Sequence, residues 1–263
     1  MTAPDASRPP GSPPTRTIRI VGTGRAGGSF AGALTAAGWR VEMLAGRSNE
    51  VDDAAVGVDI VLLAVPDGVV GRVASRVRPG PAVLAHCAGS LGLDVLAPHE
   101  RVASVHPLVS LPDPEVGAER LHGAWFAIAG DPVAGEPAAR ELVEALAGRA
   151  VSVSDEQRVA YHAAAAVASN HLVALLGQVE RLADEAGVPF EAYLDLIVGT
   201  LDNVARRGAA VSLTGPVARG DWDTVRAHVR SIPDAERPAY LALVEAAARL
   251  VDRSVPADLV VGS

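Results

Sequence analysis

Four glycines fall within the seven residues Gly22–Gly28, directly after the alternating run Thr17–Val21 and directly before the Ala-rich segment Gly28–Ala37. Ordered glycine costs backbone entropy. A cluster of this kind therefore marks a place where the chain must turn sharply or be approached closely. Gly22-x-Gly24-x-x-Gly27, set between a strand and a helix, is the context in which the dinucleotide fingerprint carries meaning. The first glycine makes the turn, the second lets a pyrophosphate reach the backbone, and the third lets the helix pack on the strand. The phosphates then meet free N–H groups at the helix start, along Gly22, Gly24, Arg25, Ala26 and Gly27. A ligand-free Gly-rich turn is the plain alternative; the strand, the helix and a second strand around the motif favour a ligand.

The pattern beyond this point sets the architecture. Strand candidates are 18–21, 40–44, 59–65, 82–86, 102–106, 125–129 and 150–153, with a helix over 136–147. The run DIVLLAV (Asp59–Val65) is continuously apolar, as in a strand buried on both faces of a parallel sheet. Such alternation predicts an α/β fold: an N-terminal doubly wound parallel sheet of the Rossmann kind. After Ser154 the character changes. Helices are expected over 155–186, 189–207, 224–231 and 235–253, giving an all-α second domain. The predicted organisation is a disordered leader over 1–15, a dinucleotide-binding domain over 16–154, a helical substrate and dimerisation domain over 155–254, and a tail over 255–263. The helix 155–186 is apolar nearly all round, which predicts burial in a homodimer built through the helical domain.

Charge and composition exclude several classes. The net charge is −8 with no basic block, which argues against nucleic acid and anionic membranes as partners. No run of 18 apolar residues occurs, so no membrane span is expected. The first 15 residues lack the apolar stretch of a secretory signal, and Cys87 stands alone, which together suggest a cytoplasmic protein. The seven histidines show no HxxxH or HExxH spacing, and no metal site is expected. All 23 basic residues are arginine, so no step that needs a lysine amine can operate.

The cofactor is expected to be NADP(H). An NAD site carries a carboxylate at the end of the second strand, for the ribose 2′-OH. Here that region reads MLAGRS, and Glu42 lies too early, within the strand. Arg47 and Ser48 suit a 2′-phosphate, although Arg47 could equally be a solvated loop residue. Val65, Pro66 and Asp67 end the third strand, at the sheet edge where such a ligand lies; Pro66 could also serve only to end the strand.

GTGRAGG, GRS and DIVLLAVPD together resemble the broad group of pyrroline-carboxylate reductases, hydroxyacid dehydrogenases and ketopantoate reductases. HCAGSLG with SVHPL, YHAAAAVASNHLVALL and LTGPVARGD narrow the resemblance to Rossmann-like oxidoreductases with a C-terminal helical domain of unknown function 2520. The resemblance spans residues 18–253. It implies an NADPH-dependent reductase of a small anionic 2-oxo acid, with ketopantoate foremost. Reduction of a cyclic imine and a non-catalytic NADP(H) sensor are the alternatives.

Hydride transfer needs an acid for the developing alkoxide or amine. His162, Ala166 and Asn170 are spaced i, i+4, i+8 along one helix face. The resemblance to ketopantoate reductases sets His162 at their lysine position and Asn170 at their second asparagine; Ala166 departs from the first. His106, at the end of its strand, is the rival acid, and His86 a third, with Ser90 nearby. Arg219, or the helix start at Gly215-Pro216, is the candidate anchor for a substrate carboxylate; Arg219 could instead pair with Asp221.

Overall fold

The computed structural model describes residues 16–260; the expected leader lies outside them. Seven strands form one sheet: β1 Thr17–Val21, β2 Arg40–Leu44, β3 Ile60–Leu63, β4 Val83–His86, β5 Val102–Pro107, β6 Trp125–Gly130 and β7 Arg149–Ser152. Their order is β2-β1-β3-β4-β5-β6-β7. Helices α1 Arg25–Ala36, α2 Val70–Ala74, α3 Pro114–Leu121 and α4 Gly135–Ala145 connect them. The sequence pattern predicted an all-parallel sheet. The first five strands are parallel, but β6 runs antiparallel to β5, with Val105 opposite Ile128. Chain order reverses between β1 and β3, the switch point at which such sheets open a crevice.

Both faces of the sheet are covered. Ile60 and Leu62 of β3 join Ile18, Ile20, Phe30 and Leu142 in one core layer, while Val61 and Leu63 join Val21, Val73 and Leu84 in the other. All four β3 residues are buried, which accounts for the uninterrupted apolar run. Helix α3 was not expected. Asp113 caps it by accepting a hydrogen bond from the Val116 N–H at 2.9 Å, and Pro114 opens it. It lies so close to α1 that a Cβ on Gly28 would come 2.8 Å from Pro114, and one on Gly117 would overlap Ser29 Oγ. The fourth glycine of the opening cluster thus serves helix packing.

The described residues fall into two compact units, parted at Ser169–Asn170 rather than near Asp155. Helix α5, Asp155–Ala166, packs with the sheet: Arg158 donates to Ser104 Oγ, and Tyr161 meets His106. The capping box of Ser154 and Gln157 starts it. A π-turn follows at Val167–His171, then α6, Leu172–Glu185. The helix Asp155–Glu185 is, by length and composition, long and apolar enough to cross a membrane, although it holds no unbroken run of 18 apolar residues.

The second unit also holds α7 Glu191–Arg207, α8 Ala209–Ser212, α9 Pro216–Arg219, α10 Trp222–Ser231 and α11 Arg237–Leu250. Val217, Val225, Val244, Ala248 and Leu259 form its core. Of the tail expected over 255–263, residues 261–263 lie outside the described residues, and the part at Ala257–Leu259 is corrected by Leu259. It is 2% exposed in a short 3-10 turn, and Asp258 beside it pairs with Arg226 at 2.8 Å. Helix α7 has no buried residue along its 17 positions.

Candidate active site

The three fingerprint glycines differ in the space around them. A Cβ on Gly22 would lie 2.2 Å from the Ala64 carbonyl oxygen, and one on Gly27 would overlap the Gly22 carbonyl. Gly22 also has φ +123°, which side-chain-bearing residues rarely adopt. A Cβ on Gly24 would meet nothing within 4 Å. Space is therefore left at the second glycine alone, where a pyrophosphate would approach. Gly24 is the N-cap of α1, no side chain caps that end, and no acidic residue stands in the first turn. The N–H groups of the first turn keep their positive end for an anion. These residues fit a dinucleotide.

Gly24, Arg25 and Ala26 line a cleft of about 500 Å³ with Val65, Pro66, Asp67 and His106. Cys87 and Ser110 lie on its walls. Burial pushes the Cys87 thiol up to about 12, so it is no nucleophile at neutral pH. Arg47 is exposed and makes no ion pair among the described residues. Ser48 is already engaged: its hydroxyl accepts from the Glu50 N–H at 3.1 Å. Glu42 is held by Arg19, whose guanidinium keeps the carboxylate below its usual range.

Beyond the glycines lies a polar cluster in which His106, Tyr161 and His162 are half-buried and Arg158 and Ser104 buried. His106 Nδ1 is 2.7 Å from the Tyr161 hydroxyl. The rings of His106 and His162 meet edge to face, 5.8 Å between centroids. A Cβ on Gly89 would come 2.4 Å from His162 Nδ1 and 2.8 Å from His106 Nε2, so both nitrogens border the small space that Gly89 leaves. His162 Nδ1 is buried without a hydrogen-bond partner. Arg158 is fully buried, donating to Ser104 Oγ at 2.9 Å, with Asp155 3.5 Å from Nε. Burial, His162 and the Arg158 charge lower His106 to about 4.

His86 is also lowered to about 4, by burial and then by Arg158. Its Nδ1 accepts from the Ala88 N–H, and its Nε2 donates to the Gly92 carbonyl. With both nitrogens engaged, it fixes the loop that carries Gly89 and has none free for a substrate. Asn170 and Arg219 belong to the second unit and this cluster to the first. The π-turn also breaks the even i, i+4, i+8 register assumed for His162 and Asn170. Arg158, Tyr161, Ser104 and Gly89 were missed. Arg158, Tyr161 and His162 stand at i, i+3 and i+4, a shared helix face that the sequence displays. Among the described residues, no group of three or more His, Cys, Asp or Glu could hold a metal.

Residues 124–247 match the family described as Domain of unknown function (DUF2520). No curated protein matches the chain in sequence. Among solved structures, a protein of Thermotoga maritima is similar at 26% identity and TM-score 0.69, over 89% of this chain and 98% of that one. A Bacteroides fragilis protein, provisionally described as an NADP oxidoreductase, has 18% identity and TM-score 0.74, with 89% and 98% covered. The NADP-bound pyrroline carboxylate reductase of Plasmodium falciparum has 12% identity and TM-score 0.60, with 90% and 98% covered. The shared property is the fold: a Rossmann-like sheet followed by helices.

Proposed function

We propose that this chain is an NADP-dependent oxidoreductase that reduces a small 2-oxo acid, with ketopantoate the first substrate to test. The observation that carries the reading is a single cleft lined by both the second fingerprint glycine, with open space above it, and the imidazole of His106. The fold shared with proteins described as NADP oxidoreductases supports it. Gly24, Arg25 and Ala26 hold the pyrophosphate, Val65, Pro66 and Asp67 border the nearer ribose, and Arg47 meets the 2′-phosphate by charge-assisted hydrogen bonds. Ser48 contributes there only if it gives up the Glu50 N–H.

A reduced nicotinamide bound in this cleft supplies the hydride. The chain supplies the proton, from His106 or His162. Asn170 and Arg219 remain proposed substrate ligands on residue chemistry alone, Arg219 for a carboxylate. We assign the molecule to the cytoplasm as a homodimer joined through the helical unit. Its support is α7, where Leu194, Val198 and Leu201 form an exposed i, i+4, i+7 stripe. The apolar helix Asp155–Glu185 is read as part of this soluble assembly. Its first half carries the buried Arg158 and is hydrogen-bonded to the sheet, which a membrane span would not be.

The test is loss of reduced-nicotinamide absorbance with ketopantoate, with pyrroline-5-carboxylate and NADH as controls. Turnover of ketopantoate with NADPH, at least about tenfold above NADH, is the expected result; Arg47→Ala removes that preference, as one charged hydrogen-bond partner is worth about 1.5–3 kcal/mol. Turnover of the imine alone moves the substrate to that class. Tight NADPH binding without turnover of either sinks the reductase reading.

A further inference from the structure

We propose that Tyr161 and Arg158 form a proton supply behind His106: the Tyr161 hydroxyl donates to Nδ1, Nε2–H faces the space over Gly89, and the buried guanidinium steadies the phenolate left when both protons move. This rests on the reductase reading above and chooses His106 over His162 as the acid.

The two ring nitrogens of His106 face different ways, which gives the relay its two ends. His106 lines the cleft, and its two nitrogens have different neighbours: Tyr161 on Nδ1 and the Gly89 space on Nε2. A cationic imidazole is disfavoured here, because burial, His162, Arg158 and His86 all oppose it, with only Asp67 in its favour. The ring therefore works as a neutral donor. A neutral imidazole that gives up Nε2–H must regain a proton at Nδ1, or else become an imidazolate. Tyr161 is the group in place to give it, 2.7 Å away. As the substrate carbon gains the hydride of the reduced nicotinamide, its oxygen or nitrogen takes the Nε2 proton. Nδ1 then takes the phenol proton, and one negative charge rests on Tyr161. Solvent later returns that proton to Tyr161, which is only partly buried, and the imidazole resets its tautomer.

Arg158 has charge to spare for that moment. It is fully buried, yet its Nε has no hydrogen-bond partner. Asp155, its ion-pair partner at 3.5 Å, also accepts from the Leu93 N–H at 3.0 Å. Arg158 stands three residues before Tyr161 on α5 and favours its ionised form, against the burial that raises it. Ser104, which accepts from Arg158, keeps the guanidinium on the sheet side of the helix. Tyr161 and Arg158 are positioning residues in this scheme, since of the three only His106 touches the substrate.

Two measurements test it. The first needs no substrate. Nitrogen-15 spectra of histidine-labelled wild-type protein are expected to show a neutral His106 ring protonated at Nε2 throughout pH 6–8. An Nδ1–H ring, or a cationic ring at pH 7, overturns the proposal, whatever the protein reduces. The second is the pH profile of Tyr161→Phe, with circular dichroism as the check on folding. Wild-type kcat is expected to stay level over pH 6–8, because the phenol remains protonated. In the variant the donor must be the imidazolium, so kcat falls about tenfold per pH unit over that range, to roughly a hundredfold or more below wild type at pH 8. A uniform loss with an unchanged profile marks a structural hydroxyl and overturns the relay. Absence of turnover with ketopantoate and with pyrroline-5-carboxylate counts against the reductase reading, while the spectra still decide the His106 arrangement.

Discussion

Gly24→Ala and Gly27→Ala add the same methyl group three positions apart, with opposite consequences. At Gly27 the new carbon overlaps a backbone carbonyl, so the helix must move off the strand. The expected loss is roughly 3 kcal/mol, the upper end for an overpacked site. At Gly24 there is room, and the cost to folding stays within about 1 kcal/mol, the difference between Gly and Ala at an N-cap. NADPH affinity, read by fluorescence titration, should instead fall at least about tenfold there, since the methyl takes the pyrophosphate's place. Equal effects on melting and on binding would contradict this division. A second prediction concerns acid. His86 titrates near 6.5 when unfolded and near 4 when folded. Between those values the unfolded chain binds more protons, so stability falls as pH drops from about 6.5 to about 4 and is level above. The 2.5-unit gap corresponds to about 3 kcal/mol at the acid end. His106, lowered in the same way, adds its own share, so urea titrations at pH 7.5 and 4.5 measure the two together and His86→Gln should remove about half of the difference.

Elements differed in how plainly the sequence announced them. Strand β3 was legible because burial on both faces demands an unbroken apolar run, and α1 because glycines bracket its start. The direction of β6 was not, since its apolar pattern is the same whichever way the strand runs. Helix α3 is only eight residues long, and its Asp113-Pro114 start was the one clue. The π-turn at Val167–His171 leaves no mark in an Ala/Val sequence, yet it decides which residues share a face with His162. Of the residues that line the cleft or border it, the second glycine and His106 were legible from motif and strand end, but Tyr161 and Arg158 were not, because their partners His106 and Ser104 lie more than fifty residues away. The C-terminal turn at Ala257–Leu259 was mistaken for a tail, because one apolar side chain there does the packing. Leu259→Ala is therefore expected to cost about 2–5 kcal/mol, the range for emptying a buried leucine site, measured by urea denaturation. A loss under about 0.5 kcal/mol would show that the segment merely rests on its neighbours.

At the level of the whole molecule, the helical unit carries several large apolar side chains in the open, which supports the proposed pairing of two copies. Leu196 and Val198 are 66% and 65% exposed on α7, and Val173 is 69% exposed on α6. Light scattering is expected to give twice the chain mass. Val198→Asp with Leu201→Asp should return it to monomer with helix content retained. A monomeric wild type would end the dimer proposal. It would leave the cleft reading untouched, since every residue lining that cleft belongs to the first unit.

Position 89 carries a consequence for reading genomes. His106 Nε2 and His162 Nδ1 both need the volume that a hydrogen leaves there. A descendant chain that kept Gly22, Gly24 and Gly27 but acquired alanine at 89 would still hold its dinucleotide, while its two imidazoles were wedged apart. Ancestry traced through the fingerprint would not tell it from its parent; under the proposed function, the state of this one site would sort chains that turn over from those that have become silent binders.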